Sequence, residues 1–429
     1  MRRRRRALLV GCVTAAALVA ATATATTAQA ATGQAATPPA GTAQALALPA
    51  VGAPATPDRD DFYRAPLDRG RGDPGDVLRA RRSHVYPTPA LLVAAPVRAW
   101  QVIYRSTGAR DEPTAVSGTV MVPEQPWHGP GPRPVVSYTI GTHGLGDQCA
   151  PSYKLASGSE QEFALMSQAL QRGWAVAATD YQGLGTPGDH AYAVQVSEGR
   201  AALDMARAAT RLPGAGLSHD APVGLWGYSQ GGGAAASAAE QAHGYAPDLH
   251  TVGVAEGGVP ADLRAVARNL DGGVAFGLLA GAAAGYDTAY PGVGVRDLLN
   301  AKGRALVAQV RGECVEEMTA RNPGHHLAEY STVRDPLSYP PLVRVLADNR
   351  IGGTAPDMPV RLYHAQADEL IPLALSRTLR DEYCRRGVRT QYEVIPAAEH
   401  LGGAVAGGPP SVSWLADRFA GRPAPSSCG

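Results

Sequence analysis

Ser229 lies in a run whose residue types suit nucleophilic chemistry. Gly227 to Gly231 read Gly-Tyr-Ser-Gln-Gly, a G-x-S-x-G pentapeptide. That spacing presents a serine on a turn so tight that side chains two residues either side would collide, so both flanks are glycine. Val223, Leu225 and Trp226 before it suit a buried strand, and the Ala-rich run from Ala234 to Ala242 suits a helix. A helix opening at the serine aims free N–H groups at any anion forming there. In a chain with 50 glycines the pentapeptide alone also fits an ordinary strand-to-helix turn. Its weight therefore rests on those flanks and on partners elsewhere.

A serine hydroxyl needs a base, and the base needs an orienting acid. Two strand-like runs downstream each lead into a suitable loop. Val360–His364 leads to Asp368, and Tyr392–Ile395 leads to His400. The chain order Ser229, Asp368, His400 is the one expected when such a serine sits at the top of a parallel sheet. Competing readings exist: Asp368 as a helix N-cap, His400 as a surface histidine, and Glu256 as the acid instead of Asp368. Asp180 ends an earlier strand but precedes the serine, His364 reads as a packed strand residue, and His325 and His326 read as solvent-facing.

The developing oxyanion needs two donors. One is the backbone N–H of Gln230, directly after the serine. The second is expected from the loop Gly141–Asp147, which follows the β-rich run Pro134–Ile140; Thr142 and His143 are the candidates, by backbone or side chain. Such chemistry needs no metal and no organic cofactor. An acyl ester is the expected substrate; a peptidase or acyltransferase could use the same residues, and a non-catalytic binding protein would be expected to lack one of them.

Strand-like and helix-like runs alternate along the chain, which implies an α/β fold, the α/β-hydrolase fold, with a mainly parallel, doubly wound sheet. Trp100–Ser106 and Ala115–Val122 read as an early antiparallel pair; Trp174–Thr179, Val223–Trp226 and His250–Ala255 read as further strands. Helices are expected over Gln161–Arg172, Val194–Arg211, Ala234–His243, Leu373–Arg386 and Ser411–Phe419. The alternation breaks at about 259–358, where Ala261–Leu270, Val274–Ala284 and Val295–Arg311 read as helices without a strand between them. This is the pattern of a helical cap inserted over the site. The apolar run Val274–Ala284 suits either contact with acyl chains or close helix packing.

Arg2–Arg6, an apolar run from Ala7 to Ala21, and the small-residue site Ala28-Gln29-Ala30 form a secretory signal peptide over 1–30. The consecutive arginines also fit a twin-arginine signal. Residues 31–56, rich in Ala, Thr, Pro and Gly, read as a disordered linker, and 57–429 as the hydrolase domain. Cleavage after Ala30 takes the formal charge from +1 to −4, because five arginines are the only charged residues removed. The mature chain has two lysines, Lys154 and Lys302, and no basic patch, so nucleic acid is not an expected partner. Transient contact with a lipid interface fits the chemistry, and no obligate protein partner is indicated. Cys149, Cys314, Cys384 and Cys428 remain, an even number in an exported chain, implying two disulfides among three connectivities. None has C-x-x-C spacing, which argues against zinc.

Several segments together resemble the secretory lipase family of fungi and actinobacteria, the lipase A type of α/β hydrolase. They are Gln148–Tyr153, Gly227–Gly231, Leu299–Gly303 with Arg311–Cys314, His364–Pro372 and Ala398–Leu401. The resemblance spans most of the chain from about Tyr63 to Cys428. It implies a secreted esterase or lipase with Ser229, Asp368 and His400 as its triad, a cap, and disulfides Cys149–Cys314 and Cys384–Cys428. In fungal members an acidic residue in the loop before the Cys-Ala-Pro-Ser segment helps the oxyanion; His143 occupies about that place here. N-terminal sequencing of the exported protein is expected to begin at Ala31; a start at Met1, or at Cys12 with a lipid attached, would contradict the cleavage site.

Overall fold

The computed structural model describes residues 54–64, 72–90 and 93–429. The expected leader and nearly all of the expected linker lie outside the described residues. Three strands, β1 (Val77–Ser83), β2 (Val97–Thr107) and β3 (Pro113–Pro123), form an antiparallel meander. Alternating elements follow: β4 (Val135–Thr139), α1 (Pro151–Ser157), α2 (Phe163–Gln171), β5 (Ala175–Gln182), α3 (Gln195–Arg211), β6 (Val223–Tyr228), α4 (Gln230–Tyr245) and β7 (Thr251–Gly257). Six helices come next without a strand: α5 (Leu263–Leu270), α6 (Phe276–Ala289), α7 (Ala301–Val310), α8 (Val315–Arg321), α9 (Leu327–Tyr330) and α10 (Pro340–Asp348). The sheet resumes with β8 (Val360–Ala365), α11 (Leu373–Arg385), β9 (Thr390–Ile395) and α12 (His400–Phe419).

The strands form one nine-stranded sheet in the order β1-β2-β3-β5-β4-β6-β7-β8-β9. It is parallel from β5 to β9 and antiparallel on the β1 side. Side chains alternate between two cores. Val135, Ala175, Ala177, Val223 and Leu225 pack with the alanines of α3 and α4. Val136, Tyr138, Val176, Ala178 and Trp226 face Met166 of α2 and Trp414 and Leu415 of α12. Burial on both faces explains why these strands read as continuous apolar runs. Among the described residues, no helix is long and apolar enough to cross a membrane.

Several element boundaries differ from the sequence reading. The run Val295–Arg311 is not one helix: a 3₁₀ turn over Val295–Leu298 ends before Asn300, whose side chain accepts from the Gly303 N–H and starts α7. Helix α12 begins eleven residues before Ser411, at His400, because Glu399 accepts from the Leu401 and Gly402 N–H groups. The Gly-rich stretch and the internal Pro409 and Pro410 hid that start. Strand β1 and helix α1 were not anticipated.

Within Val274–Ala284, helix α6 packs closely on one side and lines a cavity on the other. Gly277 lies against the Met318 carbonyl and Gly285 against the Tyr192 backbone, leaving no room for a Cβ at either, and Gly281 lies against the end of the Met318 side chain. Leu278, Ala282 and Tyr286 of the same helix instead line a cavity that reaches Ser229. Gly277→Ala is expected to force α6 away from α8 and destabilise the protein by about 1–3 kcal/mol, read as a fall in melting temperature; an unchanged melting temperature would contradict this packing.

Candidate active site

Ser229 stands between β6 and α4 with φ 60° and ψ −125°, one of few non-glycine residues at positive φ. This backbone is costly, about 1–3 kcal/mol, and is held by its surroundings. The Ser229 N–H donates to the Gly257 carbonyl and the Ser229 carbonyl accepts from Gly233, both at 3.0 Å. A Cβ on Gly227 would collide with the Thr139 hydroxyl and the Gly231 carbonyl, and one on Gly231 would collide with the Thr139 carbonyl. Both glycines are therefore required by close approach to the end of β4.

The structure brings Ser229, His400 and Asp368 together. Ser229 Oγ lies 2.8 Å from His400 Nε2, and His400 Nδ1 lies 2.8 Å from Asp368 Oδ2. His400 is the first residue of α12 and not a loop residue, because Glu399 caps that helix. Its backbone N–H donates to Glu369 Oε2 at 3.0 Å, and its ring lies 5.1 Å from that of Tyr228. Asp368 sits in the loop after β8, where its Oδ1 accepts from the Leu370 and Ile371 N–H groups. Burial pushes the Asp368 carboxyl up, but the hydrogen bond and charge of His400 and the Ile371 N–H outweigh it and hold it below the ordinary range. Asp368 thus caps a turn and faces His400 at once.

The competing residues take other positions. His364 is fully buried behind Asp368; its Nε2 donates to the Ile371 carbonyl and lies 3.4 Å from Asp368 Oδ2. Burial holds His364 below its ordinary pKa, hence neutral. Asp180 is bound by Ser117 and by the Ser152 hydroxyl and N–H. Burial nonetheless pushes Asp180 up to about 6. Glu256 is fully buried, and neither carboxyl oxygen has a hydrogen-bond partner among the described residues. His325 and His326 are partly exposed, as expected.

Gln230 and Thr142 line the same cavity as Ser229. Among the described residues, neither backbone N–H is used in a hydrogen bond. The Thr142 hydroxyl lies 3.1 Å from that of Tyr192. The His143 ring is turned away: Nδ1 donates to the Gly141 carbonyl at 3.0 Å and Nε2 to Glu160 at 2.9 Å. Burial would lower His143, but the Glu160 and Glu162 carboxyls raise it to about 9, so it is a cation at neutral pH. Glu162 accepts from the Gly141 N–H and the Tyr138 hydroxyl. His143 therefore holds the loop from behind, and Thr142 presents it to the cavity.

Apart from this polar end the cavity is apolar, walled by Val266 and Leu270 of α5, Leu278 and Leu279 of α6, and Leu298, Leu342 and Ile371. Disulfide Cys149–Cys314 joins the segment after the Thr142 loop to the start of α8. The same junction carries hydrogen bonds from Leu145 to Glu313 and from Val315 to His143. Disulfide Cys384–Cys428 ties α11 to the chain's last residues. Among the described residues no cluster of His, Cys, Asp or Glu is arranged to hold a metal. His364 is the packed strand residue expected, whereas sequence reasoning missed Glu198 and Tyr192. Only the chain's return past Ser229 reveals these two, since neither lies in a motif.

The sheet order and the strand–turn–helix at Ser229 are those of the α/β-hydrolase fold. The Secretory lipase family model matches residues 152–427, and the chain belongs to that family. It is 34% identical to a Mycobacterium tuberculosis protein named as a probable inactive lipase, over 86% of this chain and 84% of that one. It is 30% identical to lipase A of Arthroderma benhamiae, over 88% and 82% of the two chains. Candida antarctica lipase A in its closed state superimposes with a TM-score of 0.77 at 27% identity, covering 87% of this chain and 88% of that one. Family and fold together support an ester hydrolase.

Glu256 provides a test of the buried electrostatics. Burial, with a smaller contribution from Glu240, holds its carboxyl well above the ordinary 4.5. A group raised in the folded state stabilises fully below its unfolded pKa and loses that contribution as pH rises. Glu256→Gln removes this loss, so its melting temperature relative to the natural chain is expected to rise from pH 5 to pH 8. A difference that does not change with pH would contradict a neutral buried acid.

Proposed function

We propose that this protein is an exported serine ester hydrolase that cleaves acyl esters, acylglycerols among them, through an acyl-enzyme on Ser229. His400 takes the Ser229 proton as the hydroxyl attacks the ester carbonyl. Asp368 keeps the imidazole in the tautomer that accepts at Nε2 and stabilises its cation. The N–H groups of Gln230 and of Thr142 hold the oxyanion. His400 then protonates the leaving alcohol, and water, deprotonated by the same imidazole, releases the acid. Neither a metal nor a cofactor enters these steps.

The observation that carries this reading is the pair of 2.8 Å contacts linking Ser229 to His400 and His400 to Asp368. They argue for activity even though one relative is named as probably inactive. The apolar cavity beside Ser229 favours an acyl chain over a peptide side chain, since it offers hydrocarbon walls and few polar partners. Export agrees with the leader-like first thirty residues and the two disulfides.

The test is hydrolysis of p-nitrophenyl esters from acetyl to palmitoyl by the mature protein and by Ser229→Ala. Activity is expected to rise from acetyl toward longer chains and to fall by roughly 10⁴-fold or more in the variant. Near-normal activity in Ser229→Ala would refute the nucleophile. Activity confined to the shortest esters would refute an acyl-chain role for the cavity.

A further inference from the structure

Glu198, in the first turn of α3, is 2% exposed and lines the cavity together with Ser229 and Gln230. Its Oε1 accepts two hydrogen bonds, from Gln230 Nε2 at 2.7 Å and from the Ala193 N–H at 2.9 Å. These two donors belong to different parts of the site. Gln230 opens the helix behind Ser229 and supplies the first oxyanion N–H under the reading above. Ala193, at φ 60°, belongs to the loop that carries Tyr192 and walls the cavity. One carboxyl oxygen therefore ties the nucleophile helix to the pocket loop. The mechanism just described makes no use of it.

We propose that Glu198 is a positioning residue for this ester hydrolysis: it fixes Gln230 at the oxyanion site, and it does so as a neutral acid, so that ionisation of Glu198 switches the site down. The inference rests on the serine ester hydrolase reading. Both observed hydrogen bonds fall on Oε1, which suits the carbonyl oxygen of a protonated carboxyl whose hydroxyl is Oε2. An ionised Glu198 would set a negative charge in a cavity with apolar walls, beside the place where the oxyanion forms, where repulsion is little screened.

The surroundings keep the group neutral. Burial pushes the Glu198 carboxyl up to about 8, against the opposing hydrogen bonds from Gln230 and Ala193. The titratable groups facing it are phenols: Tyr181 and Tyr286, both held well above 10, and Tyr192, raised to about 12. All three stay protonated where Glu198 titrates. Of the cations on its own helix, Arg200 is engaged by Asp111 and by the Gly108 carbonyl, Arg207 by Asp204 and Asp248, and Arg211 by Asp76 and Asp248. His143, behind the Thr142 loop, is held at about 9 by Glu160 and Glu162. Its titration lies above that of Glu198 and gives a separate alkaline step.

The experiment is kcat/KM against pH from 5 to 10 on one soluble p-nitrophenyl ester, for the natural mature chain, E198Q, E198A, Q230A and the E198A/Q230A double variant. The natural chain is expected to lose activity as pH rises through about 8, by roughly tenfold or more. In E198Q that fall moves to about 9 or beyond, where His143 titrates. E198A is expected to lose kcat more than to raise KM, E198Q to restore part of that loss, and the double variant to be no worse than the poorer single one. Should E198A fail to fold, the E198Q profile still decides. An alkaline fall at the same pH in E198Q, or fully additive losses in the double variant, would overturn the role of Glu198 alone. Absence of ester hydrolysis by the natural chain would overturn this inference and the proposed function together.

Discussion

Ser229 holds a backbone conformation that an L-residue rarely adopts, and it can do so only because β4, β6, β7 and α4 close on it from all sides. Thr139 at the end of β4 touches Gly227 and Gly231, and Gly257 at the end of β7 accepts the Ser229 N–H. The reversal lifts the hydroxyl clear of the sheet and starts α4 directly behind it. Two consequences follow from this one constraint. The first N–H of α4 has no partner within the helix and faces the cavity side of the turn. The hydroxyl also stands where the loop after β8 and the first residue of α12 can reach it, which is how Asp368 and His400 come to share one hydrogen-bonded line with Ser229.

Burial decides the state of several acids around this turn. Asp180, Glu198 and Glu256 are raised by burial, whatever partners they have. Asp368 departs from this pattern because His400 pairs with it and two backbone N–H groups point at its other oxygen. The neutral His364 behind it adds a dipole without competing for the role of base. A carboxylate held ionised beside His400 is what orienting an imidazole requires.

The six-helix segment between β7 and β8 meets the α/β core at the loop that follows β4. Backbone pairing of Gly144 with Cys314, the neighbouring hydrogen bonds and the Cys149–Cys314 disulfide all fall within a few residues of Thr142. The glycines of α6 bring that helix against Met318 and Tyr192, so the larger residues between them form the cavity wall. Thr142, Tyr192 and the cavity are thus set by one packing arrangement, and a change in the helical segment would be felt at the Thr142 loop.

Much of this was legible in the residues themselves. The glycine spacing around Ser229, the Ser–Asp–His order after strand-like runs and the strand gap from 259 to 358 are local patterns, and local patterns follow from sterics and periodicity. Other features were not legible. The run up to Ser411 concealed eleven further residues of α12, since glycines and prolines are poor helix formers in a helix that is held by packing and a Glu399 cap. Nothing local distinguishes Thr142 from its neighbour His143. The difference arises because Glu160 and Glu162, seventeen and nineteen residues on, draw the histidine ring away. Glu198 reads as an ordinary first-turn acid of α3, and only the fold buries it beside Gln230. The amino-acid sequence by itself determined the tight turn at Ser229 and the order in which Asp368 and His400 follow it. Tertiary structure alone decided which loop residue faces the cavity and which buried acids are charged, because burial and pairing depend on what distant segments bring alongside.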